Sequence, residues 1–197
     1  MKPIKRIEST ALPLKRSDVD TDQIIPSEWL KKVERSGFGK GLFGEWRDDP
    51  SFVLNDPAFS KAHILVAGPN FGTGSSREHA VWALMDYGFE AIISSRFGDI
   101  FRNNSTKAGL VPVVVPQDLI ERIWGAIDAD ADLLIAVDID KRVVEIPALG
   151  VVEPFVLDDF TRYRFLEGLD DIGLSLRHED LISSFEGTRL SWMASTL

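Results

Sequence analysis

Cysteine is absent from this chain, and its absence limits the chemistry that the chain can perform alone. Without cysteine there is no disulfide framework and no thiolate metal site. An iron–sulfur cluster cannot be held here by the usual cysteine ligands. The three histidines, His63, His79 and His178, are scattered without metal-ligand spacing. We therefore expect this chain to hold no metal by itself.

An excess of positive charge and long apolar runs are also missing. The formal net charge is −9, from 31 acidic and 22 basic residues. Nucleic-acid binding needs a face of clustered lysine and arginine, and anionic membrane surfaces attract basic segments, so we expect neither partner. The first seven residues begin no long apolar run, and we see no signal peptide or membrane span. A cytoplasmic protein is the default expectation.

The order of the apolar segments predicts an α/β fold in one domain over residues 1–197. The chain is 44% hydrophobic and 27% charged, and its length allows one substantial core. From residue 63 to 129, strand-like runs alternate with helical segments, which predicts βαβ units and a mixed, largely parallel sheet flanked by helices. Residues 133–156 contain three consecutive strand-like runs, which predicts additional antiparallel strands.

A glycine-rich stretch, Gly68–Ala80, is the feature around which the chain is organised. It follows a buried strand predicted at residues 63–67 and precedes a helix predicted at residues 76–87. Open α/β sheets bind ligands at this position, outside the carboxyl ends of the strands. Gly72 and Gly74 can take positive φ and let a ligand approach the backbone. The P-loop and dinucleotide-binding motifs are absent, since no lysine follows and the glycine spacing differs.

Two polar side chains in this stretch have competing interpretations. Ser75 begins an S-x-x-E pattern with Glu78, which is typical of a capping box and predicts that Ser75 caps the helix. Arg77 would lie in the first helical turn, where the dipole disfavours an exposed cation by roughly 0.3–1 kcal/mol. A cation at such a place indicates another role, such as a bidentate fork for a substrate carboxylate. The alternative is a surface arginine paired with Glu78 or Asp99.

An acidic turn, Asp20-Thr21-Asp22, precedes this stretch in the chain. Its carboxylates resemble a loop for a hard cation, but the glycine and the final acid of a calcium-binding EF-hand loop are missing. From spacing alone we expect an Asx-type turn that ends a strand.

Residues 27–60 are predicted to form an excursion from the α/β core. A helix is expected at residues 27–33 with Ser27 as its cap. Residues 35–49 alternate glycine with large apolar side chains, which predicts an irregular flap with aromatic anchors. The flap carries cations that either contact a diacid or a protein partner, or remain solvated: Arg35, Lys40 and Arg47.

Two helices are predicted near the C-terminus, at residues 158–166 and 178–185. In the second helix Leu181, Ile182 and Phe185 share one face. Ordinary core packing is the predicted use of this apolar face, and a surface for a partner is the alternative.

Two motifs connect the chain with a known family. Residues 70–80 read N-F-G-T-G-S-S-R-E-H-A, and residues 20–26 read D-T-D-Q-I-I-P. With Gly37–Trp46 and Leu166–Asp170, they resemble the small-subunit family of 3-isopropylmalate dehydratase, whose fold is the swivelling β/β/α domain of the aconitase superfamily. The resemblance covers nearly the whole chain. Thr73 stands where many relatives carry cysteine.

The resemblance implies a hydro-lyase subunit that interconverts 2-isopropylmalate and 3-isopropylmalate by dehydration and rehydration in leucine biosynthesis. It implies that Ser75 is the catalytic base and that Arg77 holds a substrate carboxylate. A 4Fe-4S cluster is expected on a separate large subunit, without which this chain is inactive. The resemblance also places further residues at the site: Ser76, Gly74 and Thr73 beside the substrate, and Asp20, Thr21, Asp22 and His79 in support.

Three other functions stay open at this point. A sibling hydro-lyase subunit, of homoaconitase or a methylmalate-type dehydratase, would share the base and the carboxylate clamp but bind a different side chain. A free-standing anion- or nucleotide-binding module would use residues 72–76, although the phosphate motifs are missing. A non-catalytic scaffold subunit is the third alternative.

Overall fold

The computed structural model of the chain describes residues 1–31 and 36–189. The strands in these ranges are β1 (Arg6–Ser9), β2 (Ala11–Leu14), β3 (Ile64–Ala67), β4 (Ala91–Ser94), β5 (Val111–Val114), β6 (Ile135–Asp138), β7 (Val143–Ile146) and β8 (Val151–Pro154). The α-helices are α1 (Thr21–Ile24), α2 (Gly44–Arg47), α3 (Glu78–Tyr87), α4 (Asp99–Ala108), α5 (Gln117–Ala129), α6 (Asp159–Glu167), α7 (Asp171–Leu176) and α8 (Glu179–Gly187). None of these helices is long and apolar enough to span a bilayer.

One sheet is parallel and has the strand order β2-β3-β4-β5. The connections from β3 to β4 and from β4 to β5 run through α3 and α4, as parallel strands require. All four residues of β2, β3 and β4 are buried. Burial on both faces explains why these strands are continuous apolar runs rather than alternating ones. The predicted parallel sheet flanked by helices is confirmed.

The second sheet is antiparallel and has the order β1-β6-β7-β8. The three later strands are antiparallel, as predicted, but they form a sheet of their own. The reason is that β6 pairs with β1, with Ile7 opposite Val137, so no strand of this sheet joins the parallel one. The chain passes from one sheet to the other between Ser9 and Ala11.

Two apolar clusters lie on the two faces of the parallel sheet. Because successive side chains of a strand point to opposite faces, Leu65 joins one cluster while Ile64 and Val66 join the other. The first cluster contains α3 and the excursion, and the second contains α5 and the antiparallel sheet. That the whole chain forms one domain stays a prediction.

The excursion is more regular than predicted. Its described part consists of α2 and short 3-10 helices at Ser27–Lys31, Phe38–Gly41, Val53–Asn55 and Pro57–Phe59. Ser27 lies inside the first of these helices and does not precede it as a cap. The aromatic anchors are present, since Phe38 and Phe43 are fully buried. Arg35 and the end of the helix predicted at residues 27–33 lie outside the described residues.

Both predicted C-terminal helices are present, as α6 and α8, but α8 differs from its predicted packing. α6 is capped at its N-terminus by Asp158, whose carboxylate accepts from the Thr161 backbone N–H at 2.9 Å. This hydrogen bond lowers the pKa of the Asp158 carboxyl. In α8, however, Leu181, Ile182 and Phe185 are 69%, 41% and 70% exposed. The prediction that this face packs in the core is therefore wrong, because no described element covers it.

Candidate functional site

The glycine-rich turn lies at the carboxyl end of β3, as the sequence predicts, but α3 begins later than expected. The first helical residue is Glu78, and Arg77 stands at the N-cap position with no side-chain cap. The predicted capping box of Ser75 with Glu78 is therefore wrong. Ser75 lies in the turn itself, where its side chain is not used to start the helix.

The turn needs glycine at two positions. Gly72 has φ of +74° and Gly74 has φ of +88°, both in the left-handed region that L-residues avoid. A Cβ on Gly72 would also lie 2.2 Å from the ring of Phe101. The close approach of α4 to the turn therefore depends on the missing side chain.

A second segment, from Asp18 to Thr21, crosses the turn and holds it from the side. The Gly72 and Thr73 N–H groups donate to the Val19 carbonyl oxygen at 2.7 and 3.3 Å. The Thr21 N–H donates to the Thr73 carbonyl at 3.0 Å. These contacts join residues more than fifty positions apart in sequence, so the turn is fixed by tertiary structure and not by its own helix.

The three residues of the acidic turn have different contacts. Asp20 caps α1 by accepting from the Gln23 N–H at 2.8 Å, within a complete capping box. The Thr21 hydroxyl donates to the Ser75 carbonyl at 3.0 Å. Asp22 forms an ion pair with the Arg77 guanidinium. Only Thr21 touches the Ser75 backbone with its side chain, and Asp22 acts on the turn through Arg77.

The Arg77 side chain is packed against the protein, with 17% of its surface exposed. Its described ionic partner is Asp22, so the predicted pairing with Glu78 or Asp99 is wrong. A guanidinium has five N–H donors in a planar fork, and one carboxylate does not use all of them. Arg77 therefore keeps donors for a second anion.

The tip of the turn is open to solvent. Gly74, Ser75 and Ser76 are exposed, and Thr73 is half-buried. The Ser75 hydroxyl makes no hydrogen bond to the described part of the chain, whereas its carbonyl is held by Thr21. The backbone at Ser75 is therefore fixed while its hydroxyl is free to meet a ligand.

His79 belongs to an aromatic cluster. Its ring lies 5.3 Å from that of Phe38, edge to face, and 4.8 Å from that of Trp82. Both distances are typical of favourable ring pairs. His79 therefore connects the first turn of α3 with the excursion.

A cleft of about 470 Å³ is lined in part by Asp22. Lys40 of the excursion lines it, together with Trp29 and the carboxylates of Glu45 and Asp48. Lys40 is thus the described flap cation that shares a cavity with Asp22. Arg47 instead lies 5.8 Å from the ring of Tyr87.

Sequence reasoning missed residues at the end of β4 that support the turn. The buried Ser94 hydroxyl contacts the carbonyl oxygens of Gly68 and Arg96 at 2.7 and 2.8 Å. The Phe71 N–H donates to the Arg96 carbonyl at 3.1 Å. A polar residue inside an apolar strand-like run was the available signal for Ser94.

The donor set for a metal or an iron–sulfur cluster does not fit this chain. The whole sequence lacks cysteine. In residues 1–31 and 36–189, no three His, Asp or Glu side chains come together as metal ligands. What the turn offers is an exposed hydroxyl and a half-satisfied guanidinium, which suit proton transfer and carboxylate binding.

Two family models match the chain. The model described as the aconitase C-terminal domain matches residues 1–118. The model described as the C-terminal domain of the 3-isopropylmalate dehydratase small subunit matches residues 171–193. The first match includes both motifs of the site and spans more than half of the chain.

Proteins named 3-isopropylmalate dehydratase small subunit are similar to this chain over nearly its full length. The 3-isopropylmalate dehydratase small subunit of Frankia alni is 61% identical over 187 residues, which cover 95% of each chain. That of Clavibacter michiganensis is 57% identical and covers 100% of this chain and 96% of its own. A crystal structure of 3-isopropylmalate dehydratase from Methanocaldococcus jannaschii superposes with a TM-score of 0.67 at 27% identity, over 92% of this chain and 99% of the other.

Proposed function

The chain belongs to the family of 3-isopropylmalate dehydratase small subunits, and from this premise we propose how it contributes to that hydro-lyase of leucine biosynthesis. The turn from Gly72 to Arg77 is its half of the active site. Ser75 accepts the substrate proton, and Arg77 binds a substrate carboxylate. A large subunit supplies the remaining half.

The observation that carries this proposal is the state of Ser75 and Arg77. The serine hydroxyl is exposed and makes no hydrogen bond within the described ranges, while the backbone on both sides of it is held. Two residues later, a largely buried guanidinium keeps unused donors. A purely structural turn has no need to combine a fixed, exposed hydroxyl with a packed cation.

The reaction removes a proton from the carbon beside a carboxylate and a hydroxyl from the neighbouring carbon. In this proposal the Ser75 Oγ, in its alkoxide form, takes that proton and returns it when water is added to the other carbon. A serine hydroxyl is a very weak acid, so the alkoxide needs nearby positive charge. This chain supplies the Arg77 guanidinium, the Ser76 N–H and the free N–H groups at the start of α3.

Arg77 fixes the substrate so that its acidic carbon faces Ser75. A bidentate arginine–carboxylate pair sets both distance and orientation. Asp22 holds the Arg77 side chain in place from the other side. Gly74, Ser76 and Thr73 form the surface beside the substrate, and Gly74 lets it approach the backbone because it lacks a side chain. Thr21, Asp20 and His79 support the turn from behind.

Departure of the hydroxyl needs a Lewis acid. The sequence has no cysteine, and the described residues bring no three metal-binding side chains together. We place the 4Fe-4S cluster on the large subunit. The family is described as a small subunit, which implies that a large subunit exists. The active site is thus shared between two polypeptides. A cytoplasmic location belongs to the same proposal, because it rests on the biosynthetic role.

Reconstitution tests the proposal. The chain mixed with the large subunit of the same organism is expected to interconvert the two isopropylmalates, and neither subunit alone is expected to do so. Homocitrate and a methylmalate, offered to the same assembly, test the sibling hydro-lyases. Faster turnover of either compound than of isopropylmalate would reject the substrate assignment, and turnover by this chain alone would reject the shared site.

A further inference from the structure

The C-terminal part of the described chain exposes an unusual amount of apolar surface. Neither α7 nor α8 has a buried residue. Large apolar side chains are exposed on both helices, on α6 and before it, and we call this set the C-terminal face: Val156, Phe160, Ile172, Leu176, Leu181 and Phe185. A monomeric protein rarely leaves a large apolar patch uncovered unless the patch binds something.

Contacts within the structure connect the parts of this face. The Arg164 guanidinium lies 5.9 Å from the ring of Phe160 and pairs with Asp171 at 2.9 Å. Asp171 is the first residue of α7. At the other end of α7, Arg177 pairs with Glu167 of α6 at 2.8 Å. These contacts tie both ends of α7 to α6 and link Phe160, through Arg164, to the start of α7.

The same face reaches toward the catalytic turn through α4. Arg102 donates to the Val156 carbonyl at 3.4 Å. One helical turn earlier, the Gly98 N–H donates to the Phe71 carbonyl at 2.9 Å, next to Gly72. Ile100, between these two contacts, is also exposed. α4 therefore lies between the turn that carries Ser75 and the segment that leads into α6, and it adds an exposed apolar residue, Ile100, at this place.

We infer that the C-terminal face is the docking surface for the large subunit. This inference rests on the proposed function, in which the Ser75 turn must face the subunit that holds the cluster. A partner that covers that turn also comes close to the C-terminal face, because α4 contacts both the turn and the segment before α6. A second copy of this chain on this face would stand beside the turn and compete with the large subunit.

The family matches also favour this occupant. The aconitase model ends at residue 118, whereas residues 171–193 match a model described specifically for the small subunit of this dehydratase. The segment that carries α7 and α8 is therefore a feature of a subunit that works with a separate partner. We infer that its exposed apolar side chains contact that partner.

The test compares charged substitutions on the two sides of α8. The double variant Leu181→Glu/Phe185→Glu places two carboxylates on the face, and Ser183→Glu places one on the opposite, polar side of the same helix. Phe160→Glu tests the part of the face nearer the turn. All four residues are exposed, so circular dichroism and thermal unfolding are expected to match those of the unmodified chain.

The measurement is the dissociation constant for the large subunit, by sedimentation or surface binding, without substrate. We expect the double variant and Phe160→Glu each to raise Kd by about tenfold or more, because buried apolar anchors dominate interface affinity. Ser183→Glu is expected to change Kd by less than about twofold.

Unchanged affinity in the double variant would overturn the inference. The inference would also be overturned if the unmodified chain formed a dimer, and the double variant were monomeric but bound the large subunit with unchanged affinity. Binding and turnover separate the two proposals. Suppose that the unmodified subunits bind tightly and that the face variants weaken this binding, but that the assembly converts no isopropylmalate. In that case the docking surface is supported and the proposed function is rejected.

Discussion

At the scale of residues, the pairing of Arg77 with Asp22 shapes the chemistry of the site. The aspartate is partly exposed and the arginine is largely buried, so the carboxylate fixes one edge of the guanidinium. In our proposal another edge binds the substrate carboxylate. The sequence left Arg77 with two interpretations, a carboxylate fork or a surface arginine paired with Glu78 or Asp99, and neither included Asp22. Asp22 lies 55 positions earlier, and local spacing carries no information about such a contact.

Arg77→Lys is expected to lose most of the catalytic efficiency. Lysine keeps the charge but replaces a planar fork by a point charge, so a bidentate contact becomes a single one. We expect kcat/KM of the reconstituted enzyme to fall by about tenfold to a hundredfold, which corresponds to roughly 1.4–2.7 kcal/mol.

Arg122→Lys is the matched control for this change, since Arg122 is exposed on α5. It is expected to leave kcat/KM unchanged. Efficiency near that of the unmodified enzyme in Arg77→Lys would reject the carboxylate role.

The position of Ser75 could not be predicted from the neighbouring sequence alone. The S-x-x-E pattern is a sound signal for a helix cap, yet α3 starts at Glu78. The turn is instead held by Val19 and Thr21 from an earlier segment. Tertiary hydrogen bonds therefore override the local preference. The same bonds leave the Ser75 hydroxyl available, which a cap would have occupied.

At the scale of elements, the parallel sheet and the two predicted C-terminal helices follow from the sequence, but the packing of the apolar face of α8 does not. β3, β4 and β5 are short apolar runs separated by helices and glycines, and β3 was predicted to within one residue at either end. The apolar stripe of α8 was also visible as a period of 3.6. An apolar stripe indicates that something covers it, however, and does not tell whether the cover is the protein core or another chain.

The geometry of the turn is sensitive to substitution. Gly72→Ala places a side chain at positive φ and against the Phe101 ring. We expect a loss of roughly 2–4 kcal/mol in the free energy of unfolding, measured by denaturant titration. Activity should fall as well, because the same strain moves Ser75.

Gly125→Ala serves as the opposite control. Gly125 lies inside α5, and a Cβ there meets no atom within 4 Å. Alanine is the better helix former by about 0.5–1 kcal/mol, so this variant is expected to gain stability. If both substitutions changed the free energy of unfolding equally, the strained geometry assigned to Gly72 would be wrong.

At the scale of the whole molecule, the fold holds in place the turn that we propose as one half of an active site. Two sheets and two apolar clusters hold the turn at the carboxyl end of β3. The sequence predicted this fold class and the position of the turn, because both follow from hydrophobic patterning. The separation into two sheets depends on β1 pairing with β6 across the length of the chain, which patterning does not reveal.

The central claim is that this chain contributes the base and another polypeptide contributes the metal. The most direct measurement is the kcat of the reconstituted enzyme with Ser75→Ala in this chain, beside Ser183→Ala as an exposed serine remote from the turn. Loss of a positioned base is expected to lower kcat by about a hundredfold to ten-thousandfold, with affinity for the large subunit unchanged and Ser183→Ala fully active. Full activity in Ser75→Ala would contradict the account and identify this chain as a non-catalytic scaffold.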